Sequence, residues 1–185
     1  MRNAPVSEVI REAAEPHLDR GVELIFELNL KSKEDISQPV IQRLPEIIHG
    51  LRNMIQNAID FASSKVWIIL SWSESDIKIT INDDGPGFPL QMISRIGDPF
   101  VSYRKSSSVR EKHMEYEGMG LGLFIAKTLL ERTNAKLNFS NGASGLVDDL
   151  NNDGQTGAVV EISWTRTDIE KKKNLSGENE NLNVL

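Results

Sequence analysis

Ile81-Asn82-Asp83-Asp84-Gly85-Pro86-Gly87-Phe88 is the stretch whose reading decides the fold. Ahead of it, Ile77, Ile79 and Ile81 alternate with polar residues, the period of a half-buried strand. The strand stops at paired aspartates and passes into two glycines one residue apart. A strand that ends at a carboxylate and enters a glycine turn lets a planar ligand lie against bare backbone. The carboxylate can then accept a hydrogen bond from an exocyclic amine. Asp-Asp-Gly is also the composition of an ordinary turn, so the segment takes its meaning from the rest of the chain.

Working outward, residues 65–72 and 76–82 read as two strands of a hairpin joined by Ser73-Glu74-Ser75. Pro45 opens a helix that runs to about Ala62, with Glu46 in its first turn. Residues 7–17 read as a short helix capped by Ser7, residues 22–30 as a strand and residues 31–38 as a polar loop. Downstream, residues 89–95 fit one short helix, and residues 97–117 are polar and without period. Residues 120–132 form a helix that is apolar nearly all round and is expected to be buried. Strands follow at 136–140 and 157–165, separated by a loop rich in Gly, Asn and Asp. From about Arg166 to residue 185 the charged, Asn-rich chain is expected to fray or be disordered, leaving residues 1–165 as one domain. The order of elements implies an α+β fold, a two-layer sandwich with helices on one face of a mixed sheet.

The 185 residues suffice for one domain with a real core. A net charge of −6 argues against nucleic acid as the main partner. The chain has no cysteine, which excludes disulfides, thiolate metal sites and thiol redox chemistry within it. No apolar run approaches the length needed to cross a bilayer, and no signal peptide is visible.

The helix from Pro45 has two faces. Leu51, Met54, Ile55, Ala58, Ile59 and Ala62 follow the apolar helical spacing and should pack on the sheet. Asn53, Gln56, Asn57 and Asp60 share the other face. Such a stripe is commonly a solvated surface. Asn is nevertheless a poor helix former, and its amide oxygen suits a Mg²⁺ ion already held by phosphate oxygens. A second glycine segment, Glu117-Gly118-Met119-Gly120-Leu121-Gly122-Leu123, leads into the apolar helix. Glycines at a helix start leave N–H groups free for an anion, or serve only as a hinge and a close packing site. The aperiodic stretch before it has the length of a lid. It carries Arg104, Lys105, Arg110, Lys112 and His113, which either neutralise phosphate or belong to a solvated loop.

Taken in order, these segments resemble the ATP-binding catalytic domain of sensor histidine kinases, within the gyrase/Hsp90/histidine kinase/MutL ATPase superfamily. The asparagine box matches residues 51–58, the first glycine box residues 83–87, the phenylalanine box Asp98-Pro99-Phe100, the second glycine box residues 118–123, and a last glycine motif residues 157–162. The wording of His49-Gly50-Leu51-Arg52-Asn53, Gly97-Asp98-Pro99-Phe100 and Tyr116 through Lys127 is similar to the RegB/PrrB group of redox-responsive kinases. The resemblance implies the Bergerat ATP-binding fold with a long ATP lid over residues 97–117, and ATP and Mg²⁺ as cofactors. Asp83 would accept from the adenine amino group, and Gly85 and Gly87 would let the base approach. Asn57 would bind Mg²⁺, with Asn53 one turn earlier near the metal or the phosphates. Phe61 would lie against the nucleotide. Gly118, Gly120, Leu121 and Gly122 would offer backbone to the phosphates, and Phe100 would anchor the lid on a partner helical domain.

The chain departs from the family pattern in three places. Asp60 stands where many members carry a basic residue, which makes Arg104 or Lys105 the candidates for neutralising the triphosphate. Gly157-Ala158 stands where Gly-Thr is usual, with Thr156 adjacent. No phosphoacceptor box is visible: His49 lacks the acidic residue and the proline that accompany one, and reads as a structural or supporting histidine, while His17 and His113 have no such context either. The expected activity is therefore transfer of the ATP γ-phosphoryl group to a histidine on a dimerisation domain of the same kinase, and indirectly to a response regulator. The expected setting is a cytoplasmic domain of an inner-membrane sensor, without membrane contact by these residues and monomeric by itself. Two other readings keep the fold: an anti-sigma-type serine protein kinase or binding module, and a degenerate nucleotide-binding domain used for interaction. Trp67, Trp72 and Trp164 fall on expected strands and read as sheet packing.

Overall fold

A computed structural model describes residues 3–28, 36–96, 119–142 and 156–170. Its centre is a five-stranded mixed sheet in the order β2 (Glu23–Leu28), β4 (Lys65–Trp72), β5 (Asp76–Asp83), β7 (Ala158–Thr165), β6 (Lys136–Asn141). β2 and β4 run parallel, and the other neighbours run antiparallel. A short second sheet pairs β1 (Asn3–Pro5) with β3 (Val40–Gln42). The helices are α1 (Val6–Ala14), followed by a 3-10 turn over Glu15–His17, α2 (Pro45–Phe61), α3 (Leu90–Ile93), α4 (Met119–Glu131) and α5 (Arg166–Ile169).

The parallel β2–β4 pair needs a long crossover, and α2 supplies it. Alternation in β5 buries Ile77, Ile79 and Ile81 on one face, where Ile79 pairs with Ile162 and Ile81 with Val160 of β7. Against that face pack Val9, Ile10 and Ala13 of α1, Ile47, Leu51, Met54 and Ile55 of α2, and Leu123, Ala126 and Leu130 of α4, in one continuous core. The three tryptophans are buried, and Trp72 Nε1 donates to the Ile36 carbonyl at 2.9 Å while Trp164 Nε1 donates to Thr133 Oγ1 at 2.9 Å. The α+β sandwich expected from the sequence is thus the fold observed, and among the described residues no helix is long and apolar enough to cross a membrane.

Three local expectations are corrected, and one strand is added. Ser7 does not cap α1: the helix begins at Val6 behind Pro5, and Ser7 Oγ donates to Gln38 Oε1 at 3.0 Å instead. β3, whose three residues are too few to show a period, was not expected from the sequence. α4 is not buried all round. Its Leu123, Ala126 and Leu130 face the core, whereas Leu121 is 67% exposed and Ile125 39%, because a helix in a single layer meets the sheet on one side only. Order does not stop at Arg166. Arg166 donates to the Ser73 carbonyl at 2.9 Å and pairs with Glu170, Ile169 is buried, and Glu170 bridges to Ile41. The folded unit therefore extends past the boundary expected at 165. Residues 97–117, expected to form a lid, with Phe100, Arg104 and Lys105, lie outside the described residues, as do Gly118 and residues 171–185.

Candidate functional site

β5 carries Asp83 to the open end of the sandwich, where the sheet's inner face and α2 part to leave a narrow cleft. Asn57 and Phe61 of α2, Asp83, Gly87 and Phe88 from the end of β5 onward, Leu123 of α4, and Ala158 and Val160 of β7 line it, with Met54, Ala58 and Ile81 at its floor. A mainly apolar wall with a few converging polar groups is the usual character of a small-ligand site.

Asp83 is only 2% exposed. Its Oδ1 accepts from the Gly85 N–H at 2.8 Å and the Ala158 N–H at 3.2 Å, and its backbone carbonyl accepts from the Gly157 N–H at 2.9 Å. Among the described residues no hydrogen bond reaches Oδ2, which leaves that oxygen as an acceptor for a ligand. Burial raises the Asp83 carboxyl above the usual aspartate value, aided by the charge of Asp84, while the Gly85 and Ala158 N–H groups oppose the shift. The glycines are there for contact. A Cβ at Gly157 would strike Asp83 Oδ1, and one at Gly85 would strike the Phe61 carbonyl. Gly87, with φ +78°, turns the chain so that Phe88 N–H donates to Asn141 Oδ1 at 2.7 Å while Asn141 Nδ2 donates to the Phe88 carbonyl at 2.8 Å.

On α2, Asn57 faces the cleft and Asn53 lies one turn earlier, half-buried and not among the lining residues. Both can present amide oxygens to a metal; three or more His, Asp or Glu side chains do not converge on any metal position among the described residues. Gly120, Leu121 and Gly122 form the first turn of α4, whose N–H groups have no partner within the helix. Gly122 has open space where a Cβ would stand. The structure thus brings together Asn57, Phe61, Asp83, Gly85 and Gly87, and sets Asn53 beside them. His49 is exposed on α2 and so is not a core histidine. Sequence reading missed Phe88, which is buried edge-on to Phe139 at 6.0 Å, and its clamp Asn141. Phe88 directly follows the glycine pair, a usable signal; Asn141 lies 53 residues away and gives none.

Residues 43–167 match the model of the family described as histidine kinase-, DNA gyrase B-, and HSP90-like ATPase. The chain belongs to this family. Among curated relatives it is 53% identical over 164 residues to the sensor histidine kinase RegB of Cereibacter sphaeroides, covering 89% of this chain and 36% of that protein. It is 25% identical over 155 residues to the C4-dicarboxylate transport sensor protein DctB of Pseudomonas aeruginosa. The chain therefore spans about a third of the length of RegB. Solved structures of the mycobacterial sensor histidine kinase MprB (TM-score 0.62, 19% identity) and of the catalytic domain of histidine kinase ThkA (TM-score 0.63, 19% identity) share its fold, each over 89% of this chain and 97% of theirs.

Proposed function

We propose that this ATPase-family domain binds Mg-ATP in the cleft and transfers the γ-phosphoryl group to a histidine on the dimerisation domain of a sensor kinase, from which a response regulator is served. The observation that carries the reading is Asp83: a carboxylate held rigid at the strand end by two backbone N–H groups, with one oxygen free of partners among the described residues. Its carboxylate would accept from the adenine amino group, with Gly85 and Gly87 letting the base approach. Ala158 contributes its N–H to Asp83, a bond that does not depend on the hydroxyl its position lacks.

The donor set fits the metal only together with phosphate. Asn57 and Asn53 offer neutral amide oxygens, which hold Mg²⁺ well when phosphate oxygens supply the charge. Asn57 and Asn53 would hold the Mg²⁺, which would supply positive charge to offset that of the phosphates. Gly118, Gly120, Leu121 and Gly122 would direct N–H groups to the phosphates at the start of α4, Phe61 would lie against the nucleotide, and Arg104, Lys105 and Phe100 would act from the lid. Asn53 occupies the position, four residues before Asn57, where hydrolytic relatives place a glutamate. Without that carboxylate base, attack by water is slow, and catalysis is mostly positioning of the nucleotide for an incoming imidazole. The setting would be a cytoplasmic part of an inner-membrane sensor.

Calorimetric titration with ATP, with and without Mg²⁺, tests this. Metal-dependent binding with negligible ADP formed is the expected result. Rapid steady-state hydrolysis, or no binding by the folded protein, would overturn it. The relatives reported above are sensor kinases, which favours this reading over the anti-sigma type.

A further inference from the structure

We propose that Arg20 is a nucleotide-positioning residue, whose guanidinium cancels the charge of Asp60 at the C-terminal end of α2 and so lets that end of the cleft accept a polyphosphate. The inference rests on the nucleotide reading above. Asp60 lies three residues after Asn57 on one helix face, and its neighbour Phe61 lines the cleft. The last turn of α2 holds no basic residue and carries the negative pole of the helix dipole. Left alone, this end of the helix would repel phosphate.

Arg20 reaches Asp60 from a different element, the turn between Glu15–His17 and β2, where Gly21 takes a φ of +78°. Its Nη1 lies 3.8 Å from Asp60 Oδ1, and Gln56 Nε2 donates to the same oxygen. The two side chains are 48% and 52% exposed, so the pair contributes little to stability and its placement asks for another reason. His17 is buried beneath it with neither ring nitrogen hydrogen-bonded, and the charges acting on it are Arg20, Arg52 and Asp60. Arg52 Nε is likewise buried and unpaired. Arg20 and Arg52 outnumber Asp60 among the charges that reach His17 on this flank of the asparagine stripe, and a multiply charged phosphate chain would use them.

The test is calorimetry on the whole chain with Mg-ATP and with adenosine. For Arg20→Ala we expect the ATP dissociation constant to rise about five- to tenfold, as loss of one nearby charge in a half-exposed site predicts. Adenosine affinity should stay unchanged. Arg20→Lys should keep most of the ATP affinity, and Arg20→Ala combined with Asp60→Asn should recover much of the loss. Unchanged ATP affinity in Arg20→Ala, a parallel fall for adenosine, or no recovery in the double variant would overturn the proposal. Failure of the unaltered chain to bind ATP would instead sink the nucleotide reading on which it stands.

Discussion

Asp83 and Asp84, adjacent at the end of β5, hold their carboxylates in opposite environments. Asp83 is enclosed in the cleft wall, where burial raises it. Asp84 also meets some desolvation, but the Ser64 hydroxyl and the N–H groups of Ser64, Lys65 and Ser63 outweigh it and lower the carboxyl below the usual aspartate value. One aspartate serves the cleft and the other ties the end of α2 to the start of β4.

The first prediction concerns Asp83. A carboxyl raised in the folded state adds stability while protonated, below the unfolded value of about 3.9, and that stability is lost as pH rises through the folded value. At neutral pH the ionised group is kept at the expense of the fold. Asp83→Asn retains an Oδ1 acceptor for Gly85 and Ala158 without the charge. It should melt at an equal or higher temperature at pH 7 and give no heat on titration with ATP. A variant that still binds ATP normally would contradict the assigned role.

Asp84 behaves in the reverse sense. Its lowered carboxyl contributes stability above about pH 3.9, which is lost as pH falls through the folded value. Asp84→Ala leaves three N–H groups at a half-exposed bend without their acceptor, and should lower unfolding free energy by about 1 kcal/mol at pH 7. Urea denaturation at pH 7 and again in acid checks this, since the difference from the parent chain should shrink at low pH.

The readable parts of this chain were those with a period or a paired glycine. Alternation in β5 and the helical spacing from Pro45 expose both the sheet's inner face and Asn57, because burial on one side of a regular element leaves its rhythm in the sequence. β1 and β3 span three residues each, less than two periods, and their pairing of Asn3 with Gln42 is visible only in space. α4 shows why composition misleads: Leu121 and Ile125 are apolar yet exposed, so counting apolar residues overstated its burial. Arg20 and Asn141 reach the site's surroundings from turns and strand ends distant in sequence, where no local pattern marks them. The ordered Arg166–Glu170 segment was hidden by its polarity, since its hold depends on one buried isoleucine and contacts to residues 41 and 73.

The joint between α2 and α4 gives a prediction about packing. A Cβ on Gly50 would stand 2.6 Å from Leu130 Cγ and 2.8 Å from its Cδ2, and Leu130 is fully buried. The leucine has no free space to swing into, so Gly50→Ala forces the helices apart. Overpacking of this kind costs about 1–3 kcal/mol. Thermal denaturation of Gly50→Ala should show it, and Gly50→Ala paired with Leu130→Ala should lose less than the sum of the two single changes. Full additivity would mean that the two residues do not meet.

His17 predicts how the fold responds to mild acid. Burial lowers its pKa, the positive charges of Arg20 and Arg52 lower it further, and Asp60 and the Arg52 backbone oppose them only in part. A histidine lowered on folding is kept neutral by the native state, so stability is complete above the unfolded value of about 6.5 and falls as pH drops from there toward the folded value. Denaturation between pH 7.5 and 5 should therefore show a loss of stability. His17→Leu removes two ring nitrogens that have no hydrogen-bond partner and fills the same space with apolar atoms, a change that is neutral or stabilising at pH 7.5. The leucine variant should also flatten the pH dependence over that window. A slope that persists unchanged would assign it to other titrating groups, and a large loss of stability at pH 7.5 would mean that the imidazole is bonded after all.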